Sequence, residues 1–322
     1  MRLILVCLLT VISVAPVFGQ GVAYPNKPVR VLVPYAPGGG ADVMSRPIFQ
    51  KLGEVLGQPF LADNRGSAGG IIAVETVARA APDGYTLLLG SGSTQAINPS
   101  LFTNLPYESP KDFSPITMTV KAPLVLVSNS KFPARTVMEA IAYGKANPGK
   151  INFGSSGAGS ELLAMEMLQQ MGGFKVQHIP FKGSGPAFTA VLAGDVDMFL
   201  VNVGVVTSAL KEGRVRALGN GALLRLQSIP DVPTIDEAGL KGYEAVVWYG
   251  LLAPAGTPKA IIDRLNAETV KILKLPEMTN QFNVVGGFAA GNTSEQFADL
   301  IRREIAMWAK VVKSAGIQPQ AL

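Results

Sequence analysis

Five short loops built from glycine, serine and small residues carry the best prospects for chemistry in this sequence: residues 37–41, 66–70, 90–94, 154–160 and 183–185. Glycine lets the backbone approach a bound group closely, and serine or threonine adds a hydroxyl donor. Where such a loop opens a helix, the first N–H groups have no intrahelical partner and carry about half a positive charge. Several of these ends converging on one point form an anion site that needs no Arg or Lys. Other chemistries fail on spacing. Gly159-Ser160-Glu161 lacks the Lys of a nucleotide-binding P-loop, and Gly38-Gly39-Gly40 followed by Ala41-Asp42-Val43 is not a dinucleotide fingerprint. Around Ser156 the last place of a nucleophile elbow is Ala158 rather than Gly. One His and one Cys exclude clustered His/Cys metal sites, and any catalytic triad would have to use His178.

The elements around these loops alternate. Residues 29–35 read as a buried strand, nearly continuous in apolar residues, that stops at Pro37. A helical pattern follows in Ile48, Leu52, Val55 and Leu56, with a kink or a later start expected at Pro47. Strands at 59–63 and 85–89 flank a helix at 70–81. The rhythm restarts with strands at 124–127, 151–153, 176–181 and 196–201 and helices at 136–145, 161–171 and 186–193. Thr136 with Glu139 and Thr293 with Gln296 predict capping boxes, and Thr257-Pro258 predicts an N-cap with Pro at the first helical position. Strand–helix alternation predicts parallel sheets wrapped by helices. In such sheets the ligand crevice lies beyond the carboxyl ends of the strands, where four of the five loops fall. Two α/β lobes are expected, joined by extended crossing strands because no Ser/Gly linker divides the chain. His178, in a strand, is read as structural. Trp248 and Tyr249 are read as core or hinge packing, and Met165, Met167 and Met171 as core fillers. Asp42, in the first turn of a helix, either offsets the helix dipole or contacts ligand or water.

The length of 322 residues suits two domains. A 48% apolar and only 16% charged composition excludes disorder and supports two cores. The net charge of +5 is spread without a run of four basic residues, so neither a nucleic-acid stripe nor a polybasic membrane patch is present. Arg2 followed by an apolar run at residues 3–17 and then small residues reads as a signal peptide; Val17-Phe18-Gly19 and Gly21-Val22-Ala23 both resemble a cleavage pattern, and cleavage after Gly19, for a peptide of residues 1–19, is preferred. The run is shorter than the ~20 residues a spanning helix needs. Cys7 lies within it, so the mature chain would hold no cysteine and depend on core packing for its stability.

Val33-Pro34-Tyr35-Ala36-Pro37-Gly38-Gly39-Gly40-Ala41-Asp42, Asp63-Asn64-Arg65, Ala68-Gly69-Gly70, Pro82-Asp83-Gly84, Gly183-Ser184-Gly185-Pro186-Ala187, Gly194-Asp195-Val196-Asp197 and Ala253-Pro254-Ala255-Gly256-Thr257-Pro258 together resemble the Bug family, the extracytoplasmic receptors of tripartite tricarboxylate transporters. The resemblance runs in order through the mature chain. It implies a two-lobed periplasmic binding protein of the Venus-flytrap kind, each lobe a mostly parallel sheet flanked by helices. Residues 24–122 with 246–322 would form lobe one and 123–245 lobe two. It also implies that the loop Tyr35, Gly38, Gly39, Gly40, Ala41, Asp42 holds one end of a small carboxylate, partly through water. Ser155, Ser156, Gly157, Ala158, Gly159 and Ser160 would grip a carboxylate with N–H and hydroxyl groups. Ser91, Ser93, Thr94, Asp197 and Asn202 complete the candidate contacts. Two departures stand out: Gly66-Ser67 replaces the Pro-Gly of many members, and no His stands near Leu162. The second favours a monocarboxylate or aromatic acid over a citrate-like polyanion.

The expected function is therefore a monomeric periplasmic receptor without catalytic residues, metal or cofactor. It would bind a small carboxylate, deliver it to the membrane subunits of a tripartite tricarboxylate transporter, and bind no nucleic acid. Two other readings stay open: a same-fold receptor that signals to a membrane sensor, and a secreted α/β hydrolase, which would need His178 in a cleft beside a Ser or Asp.

Overall fold

Val29, Val31 and Val33 pack into one apolar cluster and Leu32 into another on the opposite side, because successive strand residues face opposite ways. The first strand is thus buried on both faces, as strands wrapped by helices are. The computed structural model describes residues 24–157, 159–314 and 316–322; the expected signal peptide with Cys7, and Ala158, lie outside the described residues. The strands are β1 (Val29–Val33), β2 (Phe60–Asn64), β3 (Thr86–Ser91), β4 (Phe113–Asn129), β5 (Asn152–Ser155), β6 (Gln177–Pro180), β7 (Met198–Asn202), β8 (Val215–Asn220), β9 (Val246–Pro254) and β10 (Phe288–Ala289). The helices are α1 (Gly40–Leu56), α2 (Ile71–Ala78), α3 (Asn98–Leu101), α4 (Val137–Ala146), α5 (Ser160–Gly172), α6 (Ser184–Ala193), α7 (Val203–Lys211), α8 (Lys259–Leu273), α9 (Pro276–Val284) and α10 (Ser294–Ser314).

The strands form one curled sheet in the order β2-β1-β3-β9-β4-β7-β5-β6, with β8 and β10 also on β4. Its two flanks are parallel, β2-β1-β3 and β7-β5-β6, and the strands between are antiparallel. β4 joins the two lobes. Residues from Phe113 to Pro123 pair with β9, and residues from Leu124 to Asn129 pair with β7 and β8. The return crossing is held where the Leu124 N–H donates to Ala245 O at 2.8 Å and the Ala245 N–H to Gly221 O at 2.8 Å. Beyond the crossing, Leu124 and Leu126 enter one core of the second lobe with Phe153, Met165 and Tyr243, while Val125 and Val127 enter another with Phe199 and Val206. Each lobe therefore has a core on both faces of its sheet.

Several local expectations are corrected. α1 begins at Gly40 and runs through Pro47, which leaves the Val43 carbonyl without its usual donor four residues on. Thr257 does not cap α8; its hydroxyl donates to Pro254 O at 2.8 Å, and Pro258 takes the cap position. Met171 is 41% exposed rather than buried, whereas Met165 is in the core. The Thr293–Gln296 box forms with both reciprocal bonds, at 3.1 and 3.2 Å. At α4 the Thr136 hydroxyl accepts from the Glu139 N–H, but the Glu139 carboxylate accepts from the N–H of Arg135 rather than that of Thr136. Among the described residues no helix is long and apolar enough to cross a membrane.

Candidate functional site

Parallel strands send their carboxyl ends the same way, so the turns after β1, β3, β5, β6 and β7 meet between the lobes. They enclose a cavity of about 50 Å³ lined by Tyr35, Ala36, Gly39, Gly40, Gly69, Gly70, Ser91, Ser93, Leu124, Ser156, Gly159, Ser160, Glu161, Ser184, Asn202, Val247 and Tyr249. At about 10–15 Å³ per water, that is room for a few water-sized groups. Four helices, α1, α5, α6 and α7, start at its wall, and none has a side-chain hydrogen bond at its N-cap. Three of these caps are glycines, Gly39, Gly159 and Gly183, so no Ser or Asp side chain takes up the first N–H groups of these helices.

The lobes touch across it. The Ser93 and Ser160 hydroxyls are 2.9 Å apart, and the Ser160 N–H donates to Ser93 Oγ at 3.2 Å. On the floor, the Tyr249 hydroxyl donates to Asn202 Oδ1 at 3.1 Å, and Asn202 Nδ2 donates to Ala122 O and Pro123 O, each at 3.3 Å. This pins Asn202 to the point where β4 changes partners. Tyr35 and Ser91 share a 2.5 Å hydroxyl contact, and the Tyr35 ring stands edge-on to Tyr249 at 6.3 Å. Burial pushes the Tyr35 phenol up to about 12 against the opposing effect of Ser91 and Ser93. It holds Tyr249 well above its ordinary value, with help from nearby Tyr35 and Glu161. Both phenols therefore stay protonated donors at any physiological pH. Among the described residues, the wall holds no Lys, Arg, His or Asp; apart from the two tyrosines, its one ionisable side chain is Glu161. Glu161 Oε2 accepts from the Ser156 N–H at 2.7 Å and from the Ser156 hydroxyl. Burial raises its carboxyl above the usual range, although Ser156 and Ser184 act to lower it.

Of the residues expected from sequence, Tyr35, Gly39, Gly40, Ser91, Ser93, Ser156, Gly159, Ser160 and Asn202 lie together in this wall. Gly38, Ala41, Asp42, Thr94, Ser155, Gly157 and Asp197 do not. Asp42 accepts from the Gly38 N–H, Arg46 and Asn64. Burial would raise its carboxyl, but Arg46, the Gly38 N–H and Asn64 together hold it below the ordinary range, so it braces the first loop from behind. Thr94 Oγ1 accepts from the Ser91 N–H at 3.0 Å, and Asp197 accepts from the Asn152 N–H at 2.7 Å at the start of β5. The Ser155 hydroxyl, 0% exposed, donates to Gly157 O at 2.7 Å and meets His178 Nε2 at 2.7 Å. The Ser–His pair that a hydrolase would need thus exists but is turned away from the cavity. Gly157, at φ 117°, makes the backbone bend that this serine ties down.

Sequence reasoning missed Glu161, Tyr249, Val247 and Leu124 as wall residues. Ser184 and Gly70 had a signal, since their loops were recognised. Tyr249 and Val247 alternate with buried Trp248, whose indole N–H donates to Glu304 at 2.8 Å, and nothing in a run of apolar residues marks which face meets a cavity. A second, larger groove of about 550 Å³ runs between α5 and α10 and shares Leu124, Ser160 and Val247 with the cavity.

The family described as tripartite tricarboxylate transporter family receptor matches residues 44–317. The chain belongs to this family. BugT of Bordetella pertussis (strain Tohama I) is 37% identical over 295 residues, covering 91% of this chain and 90% of that protein. A UPF0065 protein from the tcbD-tcbE intergenic region of Pseudomonas sp. (strain P51) is 37% identical over 292 residues, covering 90% of this chain and 87% of that protein. Among solved structures, the periplasmic binding protein BugD superposes with a TM-score of 0.85 at 33% identity, covering 92% of this chain and 100% of BugD. An R. palustris protein solved with adipate gives 0.89 at 31%, covering 92% and 100%. MatC from Rhodopseudomonas palustris, with bound malate, gives 0.83 at 33%, covering 90% and 100%. The family is one of receptors and BugD is a periplasmic binding protein, and the two-lobed α/β fold of this chain is theirs.

Proposed function

We propose that this protein is a monomeric periplasmic receptor that closes its two lobes on a small carboxylate and delivers it to the membrane subunits of a tripartite tricarboxylate transporter. The observation that carries this reading is the set of four helix N-termini, all without side-chain caps, around one interlobe cavity whose wall has hydroxyls but no basic side chain. The adipate and malate held by the two R. palustris neighbours support the carboxylate class. The ligand's carboxylate would meet the first-lobe wall (the α1 end at Gly39 and Gly40, with Tyr35, Ser91 and Ser93) and Ser160 on closure. Residues 24–122 with 246–322 would form one lobe and 123–245 the other, with the hinge where β4 exchanges β9 for β7 and β8. A residue 1–19 signal peptide would direct export.

A ligand that bridges both lobes stabilises the closed form and so shifts the open–closed population. The test is a calorimetric screen of short carboxylates against the mature chain, repeated with a Tyr35→Phe/Ser93→Ala variant. That variant loses two hydroxyl donors to an anion, each worth about 1.5–3 kcal/mol, so affinity for every acid that binds is expected to fall at least tenfold. A variant that binds those acids as tightly as the parent would reject the first-lobe wall as the carboxylate site.

A further inference from the structure

Both donors of Ser156 in the second-lobe loop already have a carboxyl partner, and it belongs to the protein. Glu161 sits in the first turn of α5, and its side chain folds back over the loop it follows. Oε2 there accepts the Ser156 N–H at 2.7 Å and the Ser156 hydroxyl, and Ser184 at the start of α6 shares the cavity wall with it. A free carboxylate gripped by this loop would use these same donors. We propose that Glu161 is a built-in occupant of the second-lobe cradle and that it sets the ligand class: a short monocarboxylate whose far end is a neutral hydrogen-bond donor or a cation, not a second carboxylate. The inference rests on the carboxylate-receptor reading above and narrows it.

Displacement and charge both favour it. Glu161 is tethered beside its donors, so a ligand carboxylate competes with a group at high effective concentration. Winning that competition would also strand the Glu161 carboxyl in a part-buried wall without its partners. Four helix N-termini supply about half a charge each, roughly +2 in all. Asp42, in the first turn of α1, is paired with Arg46, and Glu161 offsets one unit of this charge when ionised, which leaves one negative charge for the ligand to bring. No Lys, Arg or His in the wall compensates for another. The ionisable groups that face Glu161 are Tyr35, from the turn after β1, and Tyr249, from β9, and both are held as neutral phenols. A hydroxyl, amide or ammonium on the ligand, by contrast, would find in Glu161 an acceptor with a lone pair to spare.

The test uses matched acids of one chain length, butyrate, 4-hydroxybutyrate and succinate, alongside the corresponding three-carbon set. Binding to the mature full chain and to Glu161→Gln is followed by calorimetry. Glutamine keeps the size and the acceptor oxygen of Glu161, and circular dichroism checks that the variant is folded. The hydroxy acid is expected to bind the parent at least tenfold more tightly than the diacid, and Glu161→Gln is expected to shrink that ratio about tenfold. Glu161→Ala, which vacates the cradle, carries the same expectation should the glutamine variant fold poorly. A parent that prefers the diacid, or a ratio that neither substitution moves, overturns the assignment and leaves the carboxylate receptor standing. Failure of every acid to bind parent and variants alike would instead remove the receptor reading, and this inference with it.

Discussion

Replacing Gly40 with alanine is expected to separate ligand capture from folding. Gly40 opens α1 and lies against Asn202 at the end of β7. A Cβ built there falls 1.9 Å from Asn202 Oδ1, 2.7 Å from its Cγ and 3.0 Å from its Cβ, well inside contact distance. Asn202 cannot yield freely, because its amide holds Tyr249, Ala122 and Pro123. Closing the lobes on an alanine methyl group at this position would require that amide to swing out and release three neutral hydrogen bonds, each worth about 0.5–1.5 kcal/mol net. Two of them are long, at 3.3 Å, so the lower part of the range applies, about 2 kcal/mol in total, or about thirtyfold in Kd. The backbone tolerates the change: Gly40 does not have positive φ, and alanine suits the first turn of a helix better than glycine does. Calorimetry with the tightest acid from the screen measures the Kd, and thermal denaturation with and without that acid separates closure from stability. The expected result is an unchanged ligand-free Tm together with a largely lost ligand-induced rise. A Kd within twofold of the parent would refute the closure argument, and so would a ligand-free Tm lowered by several degrees, since the clash would then exist before closure.

Ser155→Ala removes the hydroxyl that ties His178 and the Gly157 carbonyl, so it is expected to lower Tm by a few degrees, for about 1 kcal/mol, while ligand affinity stays within twofold; weakened binding at unchanged Tm would return Ser155 to the cavity wall. Glu161 governs a pH effect. Its carboxyl is raised above the ordinary 4.5, so the stability it supplies is complete below about that pH and is lost as pH rises through its folded value. Glu161→Gln cannot ionise, and the difference in Tm between variant and parent is expected to move in the variant's favour from pH 4 to pH 8. A difference that stays flat across that range would mean the group titrates no differently in the folded chain.

The alternation of strands and helices was legible in the amino-acid order alone, because apolar periodicity and local capping are properties of neighbouring residues. The Thr293–Gln296 box formed as read, and the small-residue loops fell at the strand ends. Long-range pairing was not legible. Only residues 124–127 of β4 were read as strand, because Pro115, Lys121 and Pro123 break the pattern of a run that in fact spans Phe113–Asn129; it holds together by pairing with β9 on one lobe and with β7 and β8 on the other. The site divides in the same way. Gly39, Gly40, Ser93, Ser156 and Ser160 were visible as loop residues, since a tight turn before a helix demands such types whatever lies opposite. Whether a hydroxyl faces the cavity or the protein was settled in three dimensions, which is why Ser155 turns inward to His178 while Ser156, one residue on, stands in the wall. Glu161 is the clearest case. In sequence it is one more acid in a first helical turn, a place where carboxylates are favoured in any protein. Only the return of its side chain over the Ser156 N–H, with α6 closing on it from another strand end, makes it part of the cavity.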